Sequence, residues 1–135
     1  MRDLAVEHDF AVISDEIYDE IVYGVEQTSL ASLDGMAERT VTINGFSKAY
    51  SMTGWRLGYL HATGDLISQA GKLHSHSVSC ATNFVQRAGI EALRNTDESV
   101  EEMRAAFESR RDMLVDLFDA HGVDVAVPDG AFYMM

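Results

Sequence analysis

Lys48 and Arg56 stand eight positions apart in the run Asn44-Gly45-Phe46-Ser47-Lys48-Ala49-Tyr50-Ser51-Met52-Thr53-Gly54-Trp55-Arg56-Leu57-Gly58, and Ser47 directly precedes the lysine. An amine on a long flexible stem can form an imine with a carbonyl and afterwards move protons. A guanidinium can grip a phosphate through paired donors, and a neighbouring hydroxyl adds another. Together they suit a small ligand that carries an aldehyde at one place and a phosphate at another. Upstream, Ser14-Asp15-Glu16-Ile17-Tyr18 offers a carboxylate and a phenol three positions apart. These are partners for a ring nitrogen and a ring oxygen.

Such groups need rigid elements to aim them. Phe10-Ala11-Val12-Ile13 is a short apolar run suited to a buried strand ending at Ser14-Asp15. Thr40-Val41-Thr42-Ile43 is a β-branched run ending at Asn44-Gly45, and Arg56-Leu57-Gly58-Tyr59-Leu60 is a third candidate, entered through Gly54. Asp15 and Lys48 thus fall at the C-terminal ends of two buried strands, where open α/β sheets take their ligands. Leu66, Ile67, Ala70 and Leu73 have helical spacing, as do Phe84, Val85, Ala88, Ile90, Ala92 and Leu93, a helix closing near Asn95. Thr96 is placed to cap a long amphipathic helix reaching about Ala120, with Val100, Met103, Phe107, Met113, Leu114, Leu117 and Phe118 as its buried stripe. Beyond Gly122, Val123-Asp124-Val125-Ala126-Val127 alternates like a strand. Pro128-Asp129-Gly130 then turns the chain into Ala131-Phe132-Tyr133-Met134-Met135, another apolar strand candidate. The pattern is α/β, with a division expected between residues 1–95 and 96–135.

Composition narrows the class. A chain of 135 residues with 47% apolar content is neither disordered nor membranous and has the length to bury a core. No apolar run approaches the about 20 residues of a transmembrane helix, and the acidic first ten residues do not form a signal peptide. Cys80 is the only cysteine, which excludes an internal disulfide and a thiolate metal cluster and suits a cytoplasmic protein. Twenty-two acidic against ten basic side chains give a formal charge of -12, a field that repels nucleic acid. Many carboxylates with only two lysines against eight arginines are similar to surfaces from salt-loving cells. His74 and His76 sit two positions apart, so they do not share a helical face as a metal pair would. Gly54 and Gly58 read as positions of close chain approach.

Pyridoxal phosphate asks a protein for four groups: a lysine for its carbonyl, a carboxylate at the ring nitrogen, a donor at the phenolate oxygen, and a cation with hydroxyls at the phosphate. Lys48, Asp15, Tyr18, and Arg56 with Ser47 supply this set. The two segments resemble those of the fold-type I aminotransferases of class I and II, the aspartate aminotransferase superfamily. The likeness extends to Asp19-Glu20-Ile21-Val22-Tyr23, Gly89-Ile90-Glu91-Ala92-Leu93 and Pro128-Asp129-Gly130-Ala131-Phe132-Tyr133. It implies Lys48 as the imine-forming catalytic residue, with Asp15, Tyr18, Ser47 and Arg56 holding the cofactor. It also implies part of a large domain with a mixed, mostly parallel sheet, followed by the long helix and first strands of a small α+β domain.

The expected activity is transfer of an amino group from an L-amino acid to a 2-oxo acid, by a homodimer in the complete enzyme. A related carbon–sulfur lyase or synthase would use the same groups, and an inactive fragment of an aminotransferase is a further alternative. Gly45 stands where many aspartate-specific members carry a serine, which leaves the amino donor open. The residue that stacks on the ring and the arginine for the substrate's α-carboxylate have no counterpart here, so the chain reads as the middle third of an enzyme.

Overall fold

The computed structural model describes residues 1–135. Its centre is a three-stranded sheet in the order β1 (Val12–Asp15), β2 (Thr40–Gly45), β3 (Gly58–His61). β1 and β2 run parallel with Val12 opposite Thr40 and Asp15 opposite Ile43. β3 returns antiparallel, with Gly45 opposite Gly58. The sheet is therefore mixed, and the fold is α/β.

β1 begins two residues later than its apolar run suggests. Pairing, not apolarity, sets its start: the Val12 amide donates to Arg39 O at 2.8 Å, whereas Phe10 and Ala11 remain exposed. β3 likewise starts at Gly58, because Arg56 is in a left-handed conformation (φ 54°) that no strand accommodates. Strand alternation puts Ile13, Ile43 and Leu60 on one sheet face, and that face is open, with Ile13 72% exposed.

The chain also forms four helices: α1 (Arg2–Glu7), α2 (Gly64–Ser77), α3 (Asn83–Asn95) and α4 (Asp97–Ala120). α1 was not legible as a helical pattern, and only its Ala5 is buried. α3 buries Val85, Gly89 and Ala92. Gly89 permits the contact, since a Cβ there would lie 2.5 Å from Leu57 Cδ2 and 3.1 Å from Phe46 Cζ. α4 has the expected span, but Thr96 does not cap it with its side chain: the hydroxyl donates back to Ala92 O at 2.7 Å. No residue of α4 is fully buried, and Met113, Leu114 and Leu117 of its apolar stripe are exposed.

The two strands expected after Gly122 do not form. An alternating run becomes a strand only beside a partner, and here the single pairing is an isolated antiparallel bridge between Val22 and Gly130. The core is also smaller than the length suggests, with 13 of 135 residues buried. It clusters around Phe46, Met52 and Ala92 behind the Lys48 turn, with Tyr50, Leu57 and Ala88 packed on it.

Candidate functional site

Phe46 explains the position of Lys48. The ring is 5% exposed, tilted on Tyr50 at 5.3 Å and edge-on to Tyr59 at 5.8 Å. Its backbone closes the loop after β2: Phe46 N donates to Leu57 O at 3.2 Å and Met52 N to Phe46 O at 3.1 Å. With that ring buried, the next two residues, Ser47 and Lys48, emerge half-buried on the cleft side. Gly45 and Gly58 let the strands meet here, because a Cβ on Gly45 would be 3.1 Å from the Gly58 Cα. A serine at position 45 would therefore need backbone movement. Gly54, also expected to permit close approach, has nothing within 4 Å of a Cβ position and plays no such part.

Arg56 follows a single turn of 3-10 helix, Thr53–Trp55, and its Nη1 donates to Thr53 O at 2.9 Å. Ser51 (φ 53°) and Arg56 (φ 54°) both hold left-handed backbone, at an expense of about 1–3 kcal/mol each. Strain of this kind persists where the surroundings over-determine the chain. Here it folds the loop so that Ser47, Lys48, Thr53 and Arg56 line the same wall.

On the opposite segment, Asp15 ends β1 and its Oδ1 accepts from Ile17 N at 3.2 Å. Its other carboxylate oxygen takes no hydrogen bond within the chain. Glu16 pins the segment: its Oε1 accepts from the Ser14 hydroxyl at 2.9 Å, the Ser29 hydroxyl at 3.0 Å and Leu30 N at 3.2 Å. Buried Asn44 ties the two walls together, donating from Nδ2 to Asp19 Oδ2 at 2.6 Å and accepting from Gly45 N at 2.7 Å. Burial pushes the Asp19 carboxyl up, and the Asn44 hydrogen bond opposes that shift.

The result is an open cleft of about 480 Å³ lined by Asp15, Ile17, Tyr18, Ile43, Ser47, Lys48, Thr53 and Arg56. All five residues singled out in the sequence share it. Neither Lys48 nor Arg56 is in an ion pair, although the chain carries 22 carboxylates. Two unpaired cations and a hydroxyl make a seat for an anion.

Two further residues reach this place from the far end of the chain. The Lys48 ammonium lies 5.8 Å from the Tyr18 ring centre and 5.5 Å from that of Phe132. The Tyr18 and Tyr133 hydroxyls are 2.9 Å apart. Tyr18 is pushed up to about 12, first by its hydrogen bond to Tyr133, then by burial and by the nearby Tyr133 and Asp15. Sequence spacing could not place Phe132 against Lys48 or Tyr133 against Tyr18. The available signal was an aromatic pair directly after the turn residues Pro128-Asp129-Gly130.

Comparison with known proteins agrees with this architecture. The family described as aminotransferase class I and II matches residues 1–135. The chain is 44% identical to aromatic-amino-acid aminotransferase 2 of Thermococcus litoralis and 44% identical to an aspartate aminotransferase of Pyrococcus abyssi, with 99% of this chain and 35% of each relative covered. Among solved structures it superposes with a TM-score of 0.93 on an aromatic aminotransferase from Pyrococcus horikoshii (42% identity, 98% of this chain, 36% of that one). It superposes with a TM-score of 0.92 on the aspartate aminotransferase of Thermus thermophilus with maleate (39% identity, 98% and 35%). The chain spans about a third of the length of these relatives. A match along its whole length, by sequence and by fold, makes this chain a member of the class I and II aminotransferases.

Proposed function

We propose that the chain carries the cofactor-holding centre of a pyridoxal-phosphate-dependent enzyme that moves the amino group of an L-amino acid to a 2-oxo acid. The observation that carries this reading is the convergence of Asp15 and Tyr18 with Ser47, Lys48 and Arg56 on one cleft. The donor set fits the cofactor: a carboxylate with an unpaired oxygen, a phenol, an amine, and a guanidinium with an adjacent hydroxyl. When bound, pyridoxal phosphate supplies a carbonyl that condenses with amines and a ring that takes up electrons from the substrate's α-carbon.

The residues divide the remaining work. Arg56 and Ser47 hold the phosphate. Asp15 would keep a proton on the ring nitrogen, because an opposite charge beside it favours the charged ring. Tyr18 donates its hydroxyl to the ring oxygen. Lys48 Nζ would hold the carbonyl carbon and, as a free amine, would be the base that moves the substrate's α-proton. The division of the chain into residues 1–95 of a large domain and 96–135 leading into a small one belongs to the same reading. So do a cytoplasmic homodimer and a surface adapted to high salt, the last supported by the charge of -12.

Borohydride reduction of the chain with pyridoxal phosphate, followed by peptide mapping, tests the assignment. The label is expected on Lys48 and absent from Lys48→Ala. A label on Lys72 alone would overturn it.

A further inference from the structure

We propose that Tyr133 is a positioning residue for the cleft, setting the direction of the Tyr18 hydroxyl beside Lys48. The proposal rests on the reading of Lys48 and Tyr18 given above, but its geometry is independent of any ligand. The two tyrosines are 115 positions apart, and their hydroxyls meet at 2.9 Å. Their rings pack edge-on at 5.8 Å, and Phe132 packs edge-on to Tyr18 at 5.3 Å. Tyr18 is therefore held at its ring and at its tip by consecutive residues of one segment.

That segment is fastened more firmly than a surface loop requires. Tyr23 N donates to Asp129 O at 2.9 Å and Ala131 N to Ile21 O at 2.8 Å, while the Tyr23 hydroxyl donates to Ala131 O. Arg111, on α4, donates to Pro128 O at 2.9 Å and lies 4.7 Å over the Tyr23 ring. A Cβ on Gly130 would be 2.9 Å from Ile21 O, so only glycine permits the approach. Ala131 then adopts φ 58°, a left-handed backbone that a non-glycine residue holds only under constraint. The strain sits one residue before the aromatic pair, where Phe132 lies beside Lys48 and Tyr133 meets Tyr18.

Either hydroxyl of the pair can donate. In one arrangement Tyr18 donates to Tyr133, and in the other Tyr133 donates to Tyr18. An anionic oxygen entering beside Lys48 is the stronger acceptor, so the Tyr18 proton turns to it and Tyr133 donates to the Tyr18 oxygen in its place. Tyr133 thus keeps the Tyr18 ring aimed in both states. The charged or titratable groups facing Tyr18 are Asp15 at the end of β1, Lys48 from the turn after β2, and Tyr133 itself.

The test uses the full chain as wild type, Y133F, Y18F and the double variant, with folding checked by circular dichroism. Without cofactor, isotope-labelled tyrosine ring signals are followed as pH is raised. Y133F is expected to move Tyr18 ionisation down from about 12 toward the ordinary phenol range. An unmoved Tyr18 signal would overturn the proposal. With pyridoxal phosphate as probe, Y133F is expected to weaken binding by about 3- to 10-fold in wild type and not at all in the Y18F background. Equal weakening in both backgrounds would make Tyr133 merely structural. Failure of the wild type to take up cofactor at Lys48 would instead sink the functional reading, and the cofactor-free titration would still decide the role of Tyr133.

Discussion

From Asn44 to Ala49 every residue is buried or half-buried, whereas from Gly71 to Cys80 every residue is exposed. Both stretches are rich in small and apolar residues, and each adjoins an element that the sequence made legible, β2 for the first and α2 for the second. The first has packed neighbours: Phe46 fits under α3 through Gly89, and Asn44 joins β2 to Asp19. The second, in α2 and the connection after it, contributes no buried residue, and its Leu73 is 71% exposed. Periodicity decides what an element is, but contacts decide what it holds in place. The cleft is held by the β2 turn and α3, with no fully buried residue from α2.

The sharpest way to break this contrast is Phe46→Ala. Phe46 is the largest residue of the cluster under the turn, and truncating a buried phenylalanine removes about 3–5 kcal/mol. A urea titration should show a large drop in midpoint, and borohydride labelling of Lys48 should fall with it as the turn loses its anchor. Leu73→Ala in α2 should leave the midpoint nearly unchanged. Equal losses from the two would mean that the cluster behind the turn is not what holds it.

A smaller effect comes from Asn44→Ala. The substitution leaves Gly45 N and the partly buried Asp19 carboxylate without their side-chain partner, at an expense of about 1–3 kcal/mol near neutral pH. The pH dependence has a definite sign. Burial raises Asp19 above its ordinary 3.8, and the Asn44 bond lowers it again by favouring the charged form. A raised carboxyl gives stability that is full below its unfolded value and is lost as pH rises through its folded value. Without Asn44 that rise is larger. The gap between variant and wild type should therefore be widest near neutrality and narrow on acidification through the range just above 3.8. Urea midpoints across that range measure it, and a gap independent of pH would remove Asp19 from the account.

Legibility in the sequence followed the same line. Three of the four helices were readable from apolar spacing, because helical hydrogen bonds are internal to the segment. Strand ends were less so, since β1 starts where Arg39 O is available and not where apolarity begins. The runs after Gly122 have strand periodicity and no partner to pair with. For the cleft, Ser47, Lys48 and Arg56 were legible because a turn of fixed length links them, and Asp15 because it closes a strand. Phe132 and Tyr133 were not, because their approach depends on the Gly130–Ile21 contact and on the left-handed backbone at Ala131. No periodicity encodes either.

The finest test uses two helical glycines that sequence alone would treat alike. Gly89 in α3 and Gly71 in α2 both carry the conformational entropy that weakens a helix by about 0.5–1 kcal/mol relative to alanine. At Gly71 no atom lies within 4 Å of a Cβ position, so Gly71→Ala should collect that gain undiminished. At Gly89 the Cβ would meet Leu57 Cδ2 at 2.5 Å and Phe46 Cζ at 3.1 Å. Leu57 can turn aside, but the Phe46 ring is enclosed by Tyr50, Tyr59 and α3 and has little room. A branched residue should force the helix outward, and Gly89→Val is expected to lose about 1–3 kcal/mol in spite of the better propensity. Opposite signs in the two urea midpoints would show that packing beneath the Lys48 turn outweighs helix propensity there. A gain at both positions would mean that α3 moves freely, and the rigidity assigned to this wall of the cleft would have to come from the 3-10 turn and Arg56 alone.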